Sequence, residues 1–403
     1  MNKENLNSSR SIVPEENSVH VYARMRPFIP REMHEGAKPC FTINASARTI
    51  AALDPKTRHA ETFAFDGVLS SFQPNTADFA SQQTVFELIG IPMIENIFRG
   101  YNACVFAYGQ TGSGKTHTMM GELGDPVEQG LIPRLCAEVF RRFSNSRDEY
   151  AVEATYIEIY NERVLDLLTP GSKDRDLRVR QHPVTGPFVD GLVPVAVSCS
   201  DDVMELVARG NTERTTAATK MNDRSSRSHA ILSLSVTEHT IVEGSKTRGK
   251  FSNVYMVDLA GSERVSQSES VGQNFIEATN INLSLVTLGR CITTLADLSN
   301  AKKAGKKSMF KPPYRESMLT WILSESIGGN SRTFMVANVS PSSMNFDQSI
   351  NTLRYASRAR EVVNAVVVNQ DPLLQKLRSL QEQLVRSADP HMLCLDLKKS
   401  LLQ

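Results

Sequence analysis

The chain has 403 residues, 40% of them hydrophobic, with 45 Lys plus Arg against 44 Asp plus Glu. That composition supports a large buried core and excludes a global basic field for nucleic acid, so an anionic partner must be met by a local patch. The six cysteines, Cys40, Cys104, Cys136, Cys199, Cys291 and Cys394, contain no CxxC pair, which excludes a disulfide framework or a cysteine zinc site.

Residues 1–17 are polar, lack the apolar run of a signal peptide and predict a disordered extension. No stretch approaches membrane-spanning length, and the expectation is a soluble, intracellular protein. Ser18 to Arg26 alternates at Val19, Val21, Ala23 and Met25 and predicts a strand stopped by Pro27. Short strands follow around Phe41–Ile50 and Thr62–Val68. Ala80–Phe98 has helical spacing, and Ala103–Tyr108 reads as a buried strand. Pro133–Phe143 predicts a helix, Val152–Tyr160 a strand broken at Asn161, and Asp201–Gly210 a helix capped by Ser200. Ala230–Thr240 and Phe251–Leu259 predict strands, and Asn280–Leu298 a long helix with apolar residues at i, i+3 and i+4. Tyr314–Glu325 is a further predicted helix, Arg332–Val339 a strand and Asn351–Val363 the last helix. The alternation implies one layered α/β domain of roughly 350 residues.

The most informative stretch is Asn102 to Met119, NACVFAYGQTGSGKTHTM. A buried-strand pattern breaks at Gly109 and runs through Gln110, Thr111, Gly112, Ser113 and Gly114 to Lys115 and Thr116, where a helix starts. This is the phosphate-cradling loop in its required setting. Glycines let backbone N–H groups turn inward around phosphates. Lys115 brings a point charge to the terminal phosphates and Thr116 a hydroxyl for Mg²⁺, at a helix N-terminus that favours anions.

Two other motifs fit that site. Val254 to Asp258 is an apolar strand ending in an Asp, the usual second carboxylate on the Mg²⁺ side. Gly261 offers a backbone N–H that could sense a terminal phosphate, with Glu263 close by. The run Asn222-Asp223-Arg224-Ser225-Ser226-Arg227-Ser228-His229 reads either as a solvated loop or as a loop that orders around Mg²⁺ and phosphate.

GQTGSGKT, NDRSSRSH and DLAGSE in that order, with Arg24-Met25-Arg26-Pro27 upstream, resemble the kinesin motor domain from about Val19 to Asp371. Tyr314 to Ser317, Leu319 to Trp321, Gly328 to Thr333 and Asn364 to Asn369 look most like the kinesin-3 group. The resemblance implies an α/β fold of the P-loop NTPase type, a central mixed β-sheet with helices on both faces. It implies that Arg24, Arg26 and Pro27 flank the adenine of ATP, with His117 on the other side, and that Gly109 to Thr116 wrap the phosphates. Ser226 would join Thr116 in the Mg²⁺ shell, with Asp258 behind a bound water, while Ser225 places the attacking water. Arg227 and Glu263 would form a salt bridge closing the site, with Glu263 on the proton route. ATP is expected over GTP because no Asn-Lys-x-Asp motif is present.

Lys302, Lys303, Lys306, Lys307 and Lys311 form a basic run whose plain reading is a solvated loop. In kinesins it joins helices that lie on tubulin, so the resemblance implies microtubule contacts there, with Arg315 as a stereospecific one. Leu283 and Met318 stand where many kinesins carry basic, track-facing residues. The domain boundaries implied are 18–363 for the motor, 364–371 for the neck linker and 372–403 for a short neck helix. Val366 to Val368 are too apolar for a solvated tether. Leu373, Leu377, Leu380 and Leu384 form under two heptads, interrupted by Pro390, so a weak homodimer is expected. The implied protein is a microtubule-stimulated, plus-end-directed ATPase on the cytoplasmic cytoskeleton, with a static tether or end regulator as the alternative.

Overall fold

The structure is a computed structural model that describes residues 14–72, 76, 78–146, 149–169, 177–183, 186–216, 224–242, 245–263, 273–306 and 310–370. The first part of the chain forms β1 (Glu15–Ser18), β2 (His20–Met25), α1 (Pro30–His34), β3 (Phe41–Asn44), β4 (Thr49–Leu53), β5 (Ala60–Ala64) and β6 (Gly67–Ser70). A helix then starts as α2 (Gln82–Val85), passes through a π-turn at Phe86–Gly90 and continues as α3 (Ile91–Phe98) into β7 (Ala103–Tyr108) and α4 (Lys115–Met119). The middle contains α5 (Leu131–Ser144), β8 (Glu149–Tyr160), β9 (Arg163–Asp166), β10 (Arg178–His182), β11 (Gly186–Asp190), β12 (Val195–Val197) and α6 (Ser200–Thr216). The last part is β13 (His229–Val242), β14 (Ser245–Asp258), α7 (Gln273–Lys303), α8 (Met318–Ile322), β15 (Arg332–Val339), α9 (Phe346–Ala359) and β16 (Val363–Val366).

The central sheet runs β12-β8-β13-β14-β7-β15-β2-β6, with β9 paired to β8. From β14 to β6 the strands are parallel, and from β14 back through β13 and β8 they are antiparallel. All six residues of β7 are buried, as its unbroken apolar sequence requires of a central parallel strand. Its side chains alternate between two cores. Cys104, Phe106 and Tyr108 join one that contains Leu288 of α7, Leu319 of α8 and Leu353 of α9. Ala103, Val105 and Ala107 join another that contains Ile94 of α3, Leu135 of α5 and Val207 of α6. Helices therefore cover both faces of a mixed sheet, as expected.

Several local expectations change. Glu15 to Asn17 are not without structure: they belong to β1, which pairs antiparallel with β16. Their charged sequence carries no apolar pattern, and their backbone pairing comes from a strand distant in the chain. The long helix α7 reaches Lys303, so Lys302 and Lys303 lie in its last turn, where cations suit the helix dipole, rather than in a loop. The helix expected over 314–325 is interrupted at Ser317, which is extended and caps α8 by accepting from the Leu319 N–H. The start of α6 is held by Asp202, whose carboxylate accepts from the Ser198 and Cys199 N–H groups. Val363 leaves the last helix and enters β16. Residues 1–13 and 371–403, with the neck leucines, lie outside the described residues.

Candidate functional site

The phosphate loop begins where β7 ends. Gly109 has φ 150°, and a Cβ there would sit 2.3 Å from the Asn338 carbonyl oxygen of β15, so the neighbouring strand excludes a side chain. Gly112 and Gly114 have φ 74° and 98°, the left-handed region that glycine enters without strain. Lys115 opens α4 and is buried; its Nζ donates to the Gly109 and Gln110 carbonyls, both at 2.9 Å. Burial lowers its pKa, with Asp258 and Glu263 opposing the shift. Inside the loop, Gln110 Oε1 and Ser113 Oγ are buried without a hydrogen-bond partner among the described residues. Such atoms are costly unless a ligand completes them.

Asp258 lies opposite Ala107 in the parallel β14–β7 register, which brings the end of β14 beside the first turn of α4. The Thr116 hydroxyl donates to Asp258 Oδ2 at 2.7 Å, while Oδ1 is buried without a partner among the described residues. Burial raises the Asp258 pKa, opposed by Thr116, Lys115 and Arg214. An unsatisfied carboxylate oxygen beside a hydroxyl, with Ser226 on the next segment, is an all-oxygen donor set that fits a Mg²⁺ sharing its shell with phosphate and water.

Three consecutive amides after β14 bind three different segments. The Ala260 N–H donates to His229 Nδ1 at 3.0 Å, the Gly261 N–H to the Ser226 carbonyl at 2.9 Å and the Ser262 N–H to the Gly109 carbonyl at 3.1 Å. The Gly261 N–H expected to sense phosphate is thus engaged by the backbone of the Ser226 segment. A Cβ on Gly261 would fall 2.2 Å from Thr111 Oγ1, which requires glycine there.

Glu263 accepts from the Thr111 N–H at 2.8 Å and from the Thr111 hydroxyl. Among the described residues its carboxylate meets Thr111 rather than the expected Arg227: the loop tip offers two converging donors on one residue. Arg224 to Arg227 form a 3₁₀ turn; the side chain of Ser225 lies outside the described residues.

The expected purine-binding residues separate. Arg24 is buried, and its guanidinium donates to Ser71 Oγ at 3.1 Å and to Gln82 Oε1 and Thr118 Oγ1 at 3.0 Å. Burial pulls its pKa down to about 10. It is a structural strut beneath the loop, not a surface against a ring. Arg26 forms a two-pronged pair with Glu32 at 2.7 Å and donates through Nε to the Gly112 carbonyl at 2.6 Å, which ties it to the loop tip. The Pro27 carbonyl accepts from Arg26. His117 remains half-exposed, 3.6 Å from Glu128, with Gln82 Nε2 3.2 Å from its Nδ1. Burial and the Arg24 charge lower its pKa. Gln82 and Asn338 carried no local signal in the sequence; they matter through contacts with distant segments, Gln82 with Arg24 and Asn338 with Thr118.

Lys302, Lys303, Lys306, Lys311 and Arg315 are exposed, and Lys307 lies outside the described residues. Lys302 pairs with Glu16 of β1. Arg315 lies over the Trp321 ring, 5.2 Å from its centroid. Leu283 is exposed, whereas Met318 packs partly against the core and its N–H donates to Glu162 at 2.7 Å.

Beyond β16 the chain stays against the body. The Val367 N–H donates to Asn330 Oδ1 at 2.8 Å, the Asn369 N–H to the Gly100 carbonyl at 2.8 Å and the Phe251 N–H to the Asn369 carbonyl at 3.1 Å. The Asn369 side chain donates to the Gly100 and Phe251 carbonyls and to Asn102 Oδ1. The segment after the last helix is thus strapped along the sheet that supports the phosphate loop.

A glycine loop between a parallel strand and a helix, facing an Asp on the adjacent strand, defines a P-loop nucleoside triphosphatase fold. The kinesin motor-domain family model matches residues 24–362, and the chain belongs to that family. It is 45% identical over 373 residues to the kinesin-like protein unc-104 of Caenorhabditis elegans, covering 92% of this chain and 23% of that protein. It is 44% identical to human kinesin-like protein KIF13A, covering 91% of this chain and 20% of that protein. Both are kinesin-3 members, in line with the resemblance in the sequence. The chain therefore spans about a fifth of the length of these curated relatives. Among solved structures, a dimeric KIF14 bound with AMP-PNP to a microtubule superposes with a TM-score of 0.80 at 42% identity, covering 90% of this chain and all of that one.

Proposed function

We propose that this chain is a microtubule-stimulated ATPase whose hydrolysis of ATP drives movement along microtubules, directed toward plus ends, on the cytoplasmic cytoskeleton. The observation that carries the reading is the set of adjacent amides at 260–262, which links the phosphate loop, the Ser226 segment and β13 in one backbone unit. Occupancy of the phosphate site and the positions of these segments then change together. In this reading Gly109 to Thr116 hold the triphosphate, with Lys115 moving from the loop carbonyls to phosphate oxygens. Thr116 and Ser226 would hold Mg²⁺, with Asp258 behind a bound water, and the ion when bound would neutralise phosphate charge. Ser225 places the water, and Glu263 exchanges Thr111 for Arg227 as the site closes. His117, Arg26 and Pro27 border the base.

The lysine-edged face meets acidic tubulin through Lys302, Lys303, Lys306, Lys307, Lys311 and Arg315. The motor domain is assigned to residues 18–363 and the neck linker to 364–371. Its strapped position supports conversion of nucleotide state into displacement, and plus-end direction follows the analogy of a motor placed ahead of its neck. Residues 372–403 are assigned to a weakly dimerising neck. Among the described residues no helix is long and apolar enough to cross a membrane.

The test is ATP turnover with and without polymerised tubulin, followed by surface gliding of polarity-marked microtubules. Stimulated turnover with plus-end-directed motility is expected. Turnover indifferent to polymerised tubulin would overturn the reading, and stimulation without gliding would favour a static tether.

A further inference from the structure

We infer that His229 is a positioning residue that transmits the state of the phosphate site to α7, the long helix ending at the lysine cluster. His229 opens β13, and Ser284 faces it from α7; each is 2% exposed. The Ala260 N–H donates to His229 Nδ1 at 3.0 Å. A backbone N–H can only donate, so Nδ1 carries the lone pair and the ring proton sits on Nε2. Nε2 lies 2.7 Å from Ser284 Oγ, which accepts that proton's hydrogen bond. Burial, with the Lys115 and Arg214 charges, pushes the imidazole pKa down to about 3, so the ring stays neutral in this tautomer at neutral pH.

The ring is planar and rigid, and its two nitrogens join segments that face opposite functions. On one side, Ala260 is followed by the amides that hold Ser226 and Gly109. On the other, Ser284 lies within α7, which continues to Lys302 and Lys303. A displacement of residues 260–262 therefore either carries Ser284 with it or breaks the buried hydrogen bond that joins the two elements.

This inference rests on the proposed tubulin-stimulated ATPase, and wild-type protein in the same assay separates the two. Ser284→Ala removes the acceptor and leaves the Ala260 bond intact. The expected result is a fall of about fivefold in the ratio of tubulin-stimulated to basal turnover, the equivalent of one net hydrogen bond. Basal turnover should stay within about twofold. Ser284→Thr, which keeps the hydroxyl, should restore the ratio. His229→Asn, whose Oδ1 replaces Nδ1 but which lacks a donor toward Ser284, should lower the stimulated-to-basal ratio by a similar factor. The double variant should be no worse than either single one. An unchanged ratio in Ser284→Ala, a parallel loss of basal turnover, or losses that multiply in the double variant would overturn the inference. Wild-type protein without any tubulin stimulation would remove both it and the functional reading.

Discussion

The Thr116 hydroxyl donates to Asp258 across 2.7 Å, joining the first turn of α4 to the end of β14. Because the other carboxylate oxygen is buried without a partner among the described residues, this pair is set for a cation. Asp258→Asn keeps the shape and loses the charge. It should weaken the Mg²⁺ dependence of nucleotide retention on the order of 10–100-fold. Release of fluorescent ADP over a Mg²⁺ titration measures this, and an unshifted midpoint would contradict it.

Lys115→Ala should abolish nucleotide binding, since the phosphate-facing charge of the loop goes. It should also lower the melting temperature without nucleotide. Two carbonyls lose their buried donor, at about 1–3 kcal/mol for each group left unsatisfied. Fluorescent-nucleotide titration and calorimetry test the two effects separately, and retained affinity would remove the phosphate-site assignment.

Glu263→Ala should still bind ATP while turnover drops on the order of 100-fold or more, the usual contribution of a positioned proton-transfer or gating carboxylate. Its bonds to Thr111 hold the loop tip but supply no chemistry. Steady-state ATPase alongside equilibrium binding decides the matter, with near-normal turnover placing the gate elsewhere.

Glu32 offers a pH test. Burial raises its pKa, but hydrogen bonds from Arg26, the Ile29 N–H and Ser340 outweigh this and hold the carboxyl down to about 2. A depressed folded value means the contribution to stability is present above the unfolded value of 4.5 and is lost as pH falls toward 2. Glu32→Gln should therefore be less stable at neutral pH and show a flatter decline over that acid window. Thermal midpoints measured across it provide the check; an identical slope in the variant would show that other groups govern acid unfolding.

Replacing Lys302, Lys303, Lys306 and Lys307 by alanine should weaken microtubule binding mainly at low salt. Exposed charges act through a screened field that alters association on the order of 10–10³-fold. Co-sedimentation at two ionic strengths reads this directly. Equal affinity at low salt would exclude the lysine cluster as a track contact.

The phosphate loop is legible in the sequence because its chemistry is local. Gly109 to Thr116 needs only glycines, a lysine and a hydroxyl at fixed spacing after a buried strand, and the chain supplies these in order. The same holds for β7, β13, β14 and β15, whose apolar runs require burial. What local pattern could not reveal depends on partners far along the chain. Arg24 stands in an arginine motif, yet Ser71, Gln82 and Thr118 enclose it. Glu15 to Asn17 look unstructured until β16 provides their hydrogen bonds.

By itself, then, the sequence determined the nucleotide-site chemistry, the layered α/β class and the family. Local spacing and hydrophobic period are sufficient for these. Only the tertiary structure decided which donors each polar group meets: Gly261 with Ser226, Glu263 with Thr111, and His229 with both Ala260 and Ser284. Hydrogen bonds act over about 3 Å, and the fold alone brings these residues that close.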